Sequence, residues 1–488
     1  MKLSNIFSTL LCPAAVAFAA IAATGCSEEI TVSAPDTGNY EVPSENKEVI
    51  YIADKDGKRE FSNVEFRSNG STSLRLFTPG NVSADCQVKF TYDPTALEEY
   101  NAANGSDYKI YPEELVTIGD NDGVVTIPAG TSRSSEIAVT IVSNGEMDHE
   151  TSYVIPLRAS VISAGDYVLG SLDNTRLIFV KDRTAAPDAT KLGPDGLPGV
   201  RMVSIIESND TNPLNHLSFT LGDTGIPFFD VVVLFSGNIR FNRETQKIYV
   251  HLNENLTPQL NNAEKYIRPL QNKGIKVVLS ILGDHDGSGL ANLTEQGAKQ
   301  FAQALRETCD RYGLDGVMFD DEYSEYTKYR LQDDYPDIFC EESSLAGARL
   351  CYYTKKAMPD KLMTLYRLGN LNRFDKEDLM IDGTKVLPGE YLDMVFEDYG
   401  RGLRQEYFEG VSKADWAIYS QEFAQGRYAS ASDLDEMVKN GHKLHMVFAL
   451  DPHRDTFKGN LTALGRCASS FYNSTCNYSG VVYDKDWK

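Results

Sequence analysis

Between residues 49 and 180 the chain runs as short segments in which apolar and polar positions alternate. Val88, Phe90 and Tyr92 share one side of such a segment, and Ile137, Val139 and Ile141 share one side of another. A period of two is that of a strand with one buried face. The pattern predicts strands at 49–53, 62–67, 73–77, 87–92, 124–127, 136–142, 153–159 and 176–180. Asp56-Gly57, Asn69-Gly70, Pro79-Gly80 and Asn144-Gly145 separate them as turns. Many short strands with such punctuation imply a β-sandwich, placed at residues 46–182. Pro156 is expected on an edge strand or at a bulge, because proline cannot donate to a ladder.

From residue 200 the period changes. Apolar runs at 201–207, 231–235, 275–282, 316–320, 362–365, 394–396, 417–419 and 444–450 alternate with longer stretches, several of them helical in spacing. Residues 258–273 carry Leu260, Ala263, Ile267 and Leu270 on one side. Residues 295–312 carry Ala298, Phe301, Ala302, Leu305 and Cys309, with Thr294 as N-cap and Gly313 past the end. Eight such repeats predict a TIM (β/α)8 barrel over 200–488, with a doubly wound sheet as the alternative. A further short segment is expected at 481–483, and the proline-bearing stretch 183–199 reads as a linker.

The N-terminus has a different character. Lys2 precedes an apolar run from Ile6 to Ala23 and then Thr24-Gly25-Cys26. This reads as a lipoprotein signal over 1–25, a lipidated Cys26 and a flexible tether over 26–45. The expected location is the outer membrane, facing the cell surface, with a periplasm-facing orientation as the alternative. Membrane contact would be through the lipid alone. The formal charge of −23 over 488 residues argues against nucleic acid as a partner and suits a neutral one. A monomer is expected. The six cysteines beyond Cys26 include no Cys-x-x-Cys pair, and His442-x-x-His445 lacks an evident third ligand. No metal or cofactor is expected.

Candidate chemistry concentrates in Leu314-Asp315-Gly316-Val317-Met318-Phe319-Asp320-Asp321-Glu322-Tyr323. Along a strand, Met318, Asp320 and Glu322 share one face. Two carboxylates at the C-terminal end of a buried strand are expensive to desolvate, and barrel chemistry sits at that end. Either catalysis or a solvated acidic turn would produce such a stretch.

This block resembles the Asp-Gly-x-Asp-x-Asp-x-Glu signature of glycoside hydrolase family 18, and its wording from Tyr312 to Tyr323 is similar to that of the endo-β-N-acetylglucosaminidases in it. Arg268-Pro269-Leu270-Gln271, Leu282-Gly283-x-His285, Ala291-Asn292 and Leu450-Asp451-x-x-Arg454-Asp455 add to the resemblance. Met318 departs from it, standing where the family carries an aspartate. The residues around Tyr100-Asn101-Ala102-Ala103-Asn104-Gly105 resemble an N-terminal module of surface lipoproteins, expected here as a spacer.

The resemblance implies hydrolysis of the GlcNAc-β1,4-GlcNAc core of N-glycans, most readily high-mannose ones, with the substrate's own acetamide as nucleophile. Glu322 would be the general acid and base and Asp320 would orient the acetamide. Tyr366 or Tyr399 would hydrogen-bond the acetamide or the oxazolinium. Glu207, Asn209, His285 and Asp451 are the candidate substrate-binding residues. With Met318 in place of the aspartate, a catalytically weakened surface glycan-binding protein is the alternative.

Overall fold

The structure is a computed structural model that describes residues 49–170, 173–374, 377–399 and 408–487. The expected signal, Cys26 and the tether lie outside the described residues.

The alternating N-terminal segments form two sheets. One runs in the order Val168–Leu169, Val49–Asp54, Asn69–Phe77, Ile137–Val142, Val116–Ile118. The other runs Phe61–Phe66, Thr175–Asp182, Tyr153–Ser163, Cys86–Tyr92, Val124–Ile127, with Lys109–Ile110 beside Tyr153–Ser163. Ile50, Ile52, Leu76, Val139 and Ile141 of the first share a core with Val88, Phe90, Ile155, Leu157, Ile178 and Val180 of the second. These are the apolar positions of the period-two pattern.

Pro156 corrects the expectation of an edge or bulge. It lies in a central strand, opposite Leu177. On the other side, Lys109–Ile110 covers residues 153–154 and Cys86–Tyr92 begins at Leu157. Pro156 fills the gap between these neighbours, where its carbonyl accepts from the Asp93 N–H at 3.0 Å. Its missing donor is therefore not needed by a ladder. The helix Pro94–Asn104 was not expected from hydrophobic period, since only Ala96 and Leu97 are buried in it. Its local signals are nonetheless complete: the Asp93 side chain accepts from the Thr95 N–H, Pro94 opens the first turn and Gly105 ends it at φ 59°.

The second part is a nearly closed parallel sheet of TIM-like form. Its strands are β1 (Arg201–Glu207), β2 (Val231–Asn242), β3 (Lys276–Leu282), β4 (Gly316–Phe319), β5 (Leu362–Tyr366), β6 (Met394–Phe396), β7 (Trp416–Ala417 and Ser420–Glu422) and β8 (Leu444–Phe448). Each pairs in parallel with the next, and β8 pairs with β1. The two halves of β7 are one stretch of chain interrupted at Ile418-Tyr419. Val203, Ile205, Val231, Val233, Val278, Met318, Met394, Phe396, Leu444 and Met446 fill the interior.

Helix α1 (Glu295–Tyr312) follows the expected bounds. Thr294 Oγ1 accepts from the Gly297 N–H at 3.1 Å, and Gly313 takes the left-handed conformation at φ 61°. The helix expected at 258–273 is instead three pieces, Leu256–Asn261, Ala263–Tyr266 and Arg268–Gln271. Pro269 cannot donate to a preceding turn, and Asn262 breaks the helical path at ψ 45°. The segment at 481–483 forms no strand; Cys476–Tyr478 pairs with Phe219–Leu221 instead.

The two-sheet part packs on the end of the barrel where the strands begin. Lys276 at the start of β3 pairs with Glu65 at 2.9 Å, and Asp393 before β6 pairs with Lys58 at 2.9 Å. Asp360 before β5 accepts from Tyr108 at 2.5 Å and from Ser152 at 2.7 Å. Between them lies a cavity of about 90 Å³ lined by Lys181, Lys276, Lys355 and Lys361 and by Glu65, Asp315, Asp360 and Asp393. The stretch read as a linker is itself docked: buried Lys191 pairs with Asp230 at 2.6 Å and donates to the Phe228 carbonyl. The barrel floor is thus covered, and among the described residues its other end, where Tyr323 is exposed, is open.

Candidate active site

Asp320 and Glu322 leave β4 at the open end. The Asp320 N–H donates to the Ile281 carbonyl at 3.1 Å, holding the strand end against β3. The Glu322 carbonyl accepts from the Gly283 N–H at 2.9 Å. A Cβ on Gly283 would stand 2.2 Å from Ser324 Oγ, so only glycine permits this approach.

Asp320 is 3% exposed, and its Oδ1 has no hydrogen-bond partner among the described residues. Burial, then the neighbouring Glu322, Asp321 and Asp398 carboxylates, hold its pKa well above the usual carboxylate range. Glu322 is half-buried, and burial together with Asp398 raises its pKa as well. The two carboxyls are thus in protonatable states and face a common charge. Met318 beneath them is fully buried among the barrel's apolar interior.

Tyr366 ends β5, and its buried hydroxyl donates to Asp398 Oδ1 at 2.8 Å. Its ring centre lies 6.1 Å from that of Tyr399, which packs on Phe448 of β8 at 5.8 Å. Burial raises both phenols, so both remain donors at ordinary pH. Asp398 was missed by sequence reasoning. The signal was available, since Met394, Phe396 and Asp398 alternate as Met318, Asp320 and Glu322 do.

Asp321 points the other way. Its carboxylate accepts from Tyr326 and, through Oδ2, from the Asn370 N–H at 2.8 Å, tying the end of β4 to the turn after β5. Asp315, at the opposite end of the strand, accepts from the Val277 N–H at 2.8 Å and from Gln271 at 2.7 Å.

The remaining sequence-selected residues are spread around the rim. Glu207 ends β1, with its pKa raised by burial and by Asp210. Asn209 accepts from Asn253 at 3.2 Å, and its carbonyl accepts from Lys485. His285 is exposed at φ 55°; its N–H donates to the Tyr323 carbonyl at 2.8 Å and its ring lies 5.2 Å from exposed Tyr323. Asp451 is buried and receives the His453 N–H at 2.9 Å, so it shapes the loop after β8. His442 and His445 are buried and bond to the Trp416 carbonyl and to Gln421. Among the described residues, no group of three or more His, Cys, Asp or Glu is placed to hold a metal ion.

A barrel whose open end holds two raised carboxyls, two tyrosine hydroxyls and an acidic rim has the architecture of a glycosidase. The comparisons with known proteins sharpen that class. A family model described as a "-like, N-terminal domain" matches residues 44–166. Endo-beta-N-acetylglucosaminidase F1 of Elizabethkingia meningoseptica is 47% identical over 291 residues, covering 59% of this chain and 83% of that protein. An endo-beta-N-acetylglucosaminidase of Flavobacterium sp. (strain SK1022) is 38% identical over 272 residues, covering 55% and 79%. The crystal structure of EndoBT-3987 from Bacteroides thetaiotaomicron with a Man5GlcNAc product superposes with a TM-score of 0.78 at 32% identity, over 90% of this chain and 98% of that one. The same enzyme with a Man9GlcNAc2Asn substrate gives a TM-score of 0.73 at 30% identity, over the same shares of 90% and 98%. The chain belongs to the endo-β-N-acetylglucosaminidase family.

Proposed function

We propose that this protein hydrolyses the GlcNAc-β1,4-GlcNAc bond in the core of N-glycans, of high-mannose type, as a retaining enzyme of glycoside hydrolase family 18 on a full (β/α)8 barrel preceded by a β-sandwich. The observation that carries the reading is the pair Asp320 and Glu322, both raised in pKa, at the open end of the barrel. The Man5GlcNAc and Man9GlcNAc2Asn ligands of the superposed enzyme support the glycan type.

In this scheme Glu322, half-buried and with its pKa raised, gives a proton to the oxygen of the leaving GlcNAc as the C1–O bond breaks. The acetamide carbonyl oxygen of the reacting sugar closes on C1 and forms an oxazolinium. Intramolecular attack replaces an enzyme nucleophile because its effective molarity is large. Asp320, with one oxygen free of protein partners, accepts from the acetamide N–H and holds the group in line. The Tyr366 or Tyr399 hydroxyl donates to the acetamide oxygen. Glu322, now a carboxylate, takes a proton from water, which adds to C1 and reopens the ring with net retention. Glu207, Asn209 and His285 contact the mannose arms from the rim, and Asp451 holds the β8 loop against them. No cofactor enters the scheme.

The same reading makes Cys26 the lipidated first residue of a monomeric surface lipoprotein. The test of activity is mass spectrometry of a high-mannose glycoprotein incubated with the protein. A loss leaving one GlcNAc on asparagine is expected; intact glycan would remove the assignment in favour of a glycan-binding protein without catalysis.

A further inference from the structure

A second groove lies at the seam between the sandwich and the barrel, on the floor side and away from Asp320 and Glu322. Its volume is about 560 Å³, within the usual span of small-ligand sites, and Tyr51, Phe77, Arg59, Asp173, Thr384 and Glu390 are among its lining residues. Tyr51 and Phe77 are cross-strand partners on the sheet face turned away from the sandwich core. Their rings stack at 5.6 Å with planes 12° apart; the Arg59 guanidinium lies over Tyr51 at 5.7 Å, and Phe77 stays half-buried.

The charges around this aromatic floor are already spent on one another. Arg59 donates through Nε and Nη2 to both Glu390 oxygens at 2.9 Å. Lys385 pairs with Glu409 at 2.8 Å and with Asp378 at 3.0 Å. A charged ligand would have to break these pairs. Asp173 is different. It is only 5% exposed, its Oδ1 accepts from the Ile52 N–H at 2.7 Å, and its Oδ2 has no hydrogen-bond partner among the described residues while lining the groove. That oxygen meets the groove, where a ligand hydroxyl or water can donate to it.

An open carboxylate oxygen beside an aromatic face, with no unpaired cation, matches a neutral sugar. The C–H face of a pyranose packs on a ring, and its hydroxyls donate to a carboxylate in charge-assisted bonds. We propose that the groove floored by Tyr51 and Phe77 and closed by Asp173 is a second carbohydrate site that holds a mannose-type oligosaccharide arm. The site would retain mannose-rich material beside the barrel while the open end works on a neighbouring chain. The mannose assignment rests on the function proposed above; the groove chemistry does not.

The test uses the full chain carrying fluorophenylalanine, titrated with mannotriose and followed by fluorine NMR. Phe77→Leu identifies the Phe77 signal. A saturable shift of that signal, lost in Asp173→Asn, is expected. Thermal melts check that both variants fold, and Asp173→Asn keeps the oxygen that Ile52 needs. Both variants should cleave a small high-mannose glycopeptide with unchanged kcat/KM, yet cleave a multiply glycosylated protein severalfold more slowly through lost avidity. An unmoved Phe77 signal, or one that still shifts in Asp173→Asn, overturns the proposal. A shift in a protein that cleaves no glycopeptide would keep this site and remove the function above.

Discussion

The Tyr366 hydroxyl donates to Asp398 Oδ1 at 2.8 Å, joining the ends of β5 and β6 beside the carboxyl pair of β4. Asp398 is held by this bond while its charge raises both Asp320 and Glu322. One residue therefore links the tyrosine side of the site to its proton chemistry.

Asp398→Asn should move the pH profile. Removing a like charge lowers the pKa of Glu322, so the acid loses its proton at lower pH. The alkaline limb of kcat/KM on a high-mannose glycopeptide should shift to more acid values. A limb that stays in place would sever Asp398 from the acid.

Glu322→Gln keeps the shape of the side chain and removes its proton transfer. Turnover should fall by about 10²–10⁴, the usual loss for a general acid–base group. Glycan binding, measured by calorimetry, should persist. Turnover close to wild type would exclude Glu322 from the proton transfers.

Asp320→Asn should separate stability from activity. The folded-state pKa of Asp320 is raised, so its burial is tolerated best below the unfolded carboxyl pKa and costs most above the folded one. The amide removes that penalty. Melting temperature should therefore rise relative to wild type at pH 8 and differ little at pH 4, while hydrolysis falls. An equal effect at both pH values would contradict the sign.

Glu65→Gln tests the floor. Lys276 holds the Glu65 carboxyl down to about 2, so the pair stabilises the fold above the ordinary carboxyl range and loses its effect as pH falls toward that value. The variant should melt below wild type at pH 7, and the gap should narrow toward pH 3. The pair is partly exposed, so about 1 kcal/mol or less is expected.

Met318→Asp would place a third carboxyl under Asp320 in the apolar interior. It should lower the melting temperature, and coupled titration should alter the pH–rate profile more than its peak. Superimposable profiles would show that position 318 does not feel Asp320.

Much of this architecture was legible because burial imposes period. The strands around Val88 and Ile137, helix α1 with Thr294 and Gly313, and the β4 carboxyls all follow from alternation or caps. What escaped was decided by neighbours. Pro156 occupies a central strand because two short strands leave it a gap, and no local pattern records that gap. Asp398 stands two residues past a three-residue strand, so its alternation with Met394 and Phe396 was too brief to single it out. The Tyr51–Phe77 stack depends on register between two strands with Phe61–Phe66 of the other sheet between them in the chain, so the sequence offered two aromatics and no platform.

The docking of the sandwich on the barrel floor fixes a direction. Glu65, Lys58 and Tyr108 grip the ends where β3, β5 and β6 begin, and Asp320 and Glu322 lie where strands finish. Any support that holds the sandwich, a bead or a chip as much as a cell wall, therefore presents the reactive mouth outward to bulk liquid. A bulky glycoprotein can then approach head-on, without threading between enzyme and support.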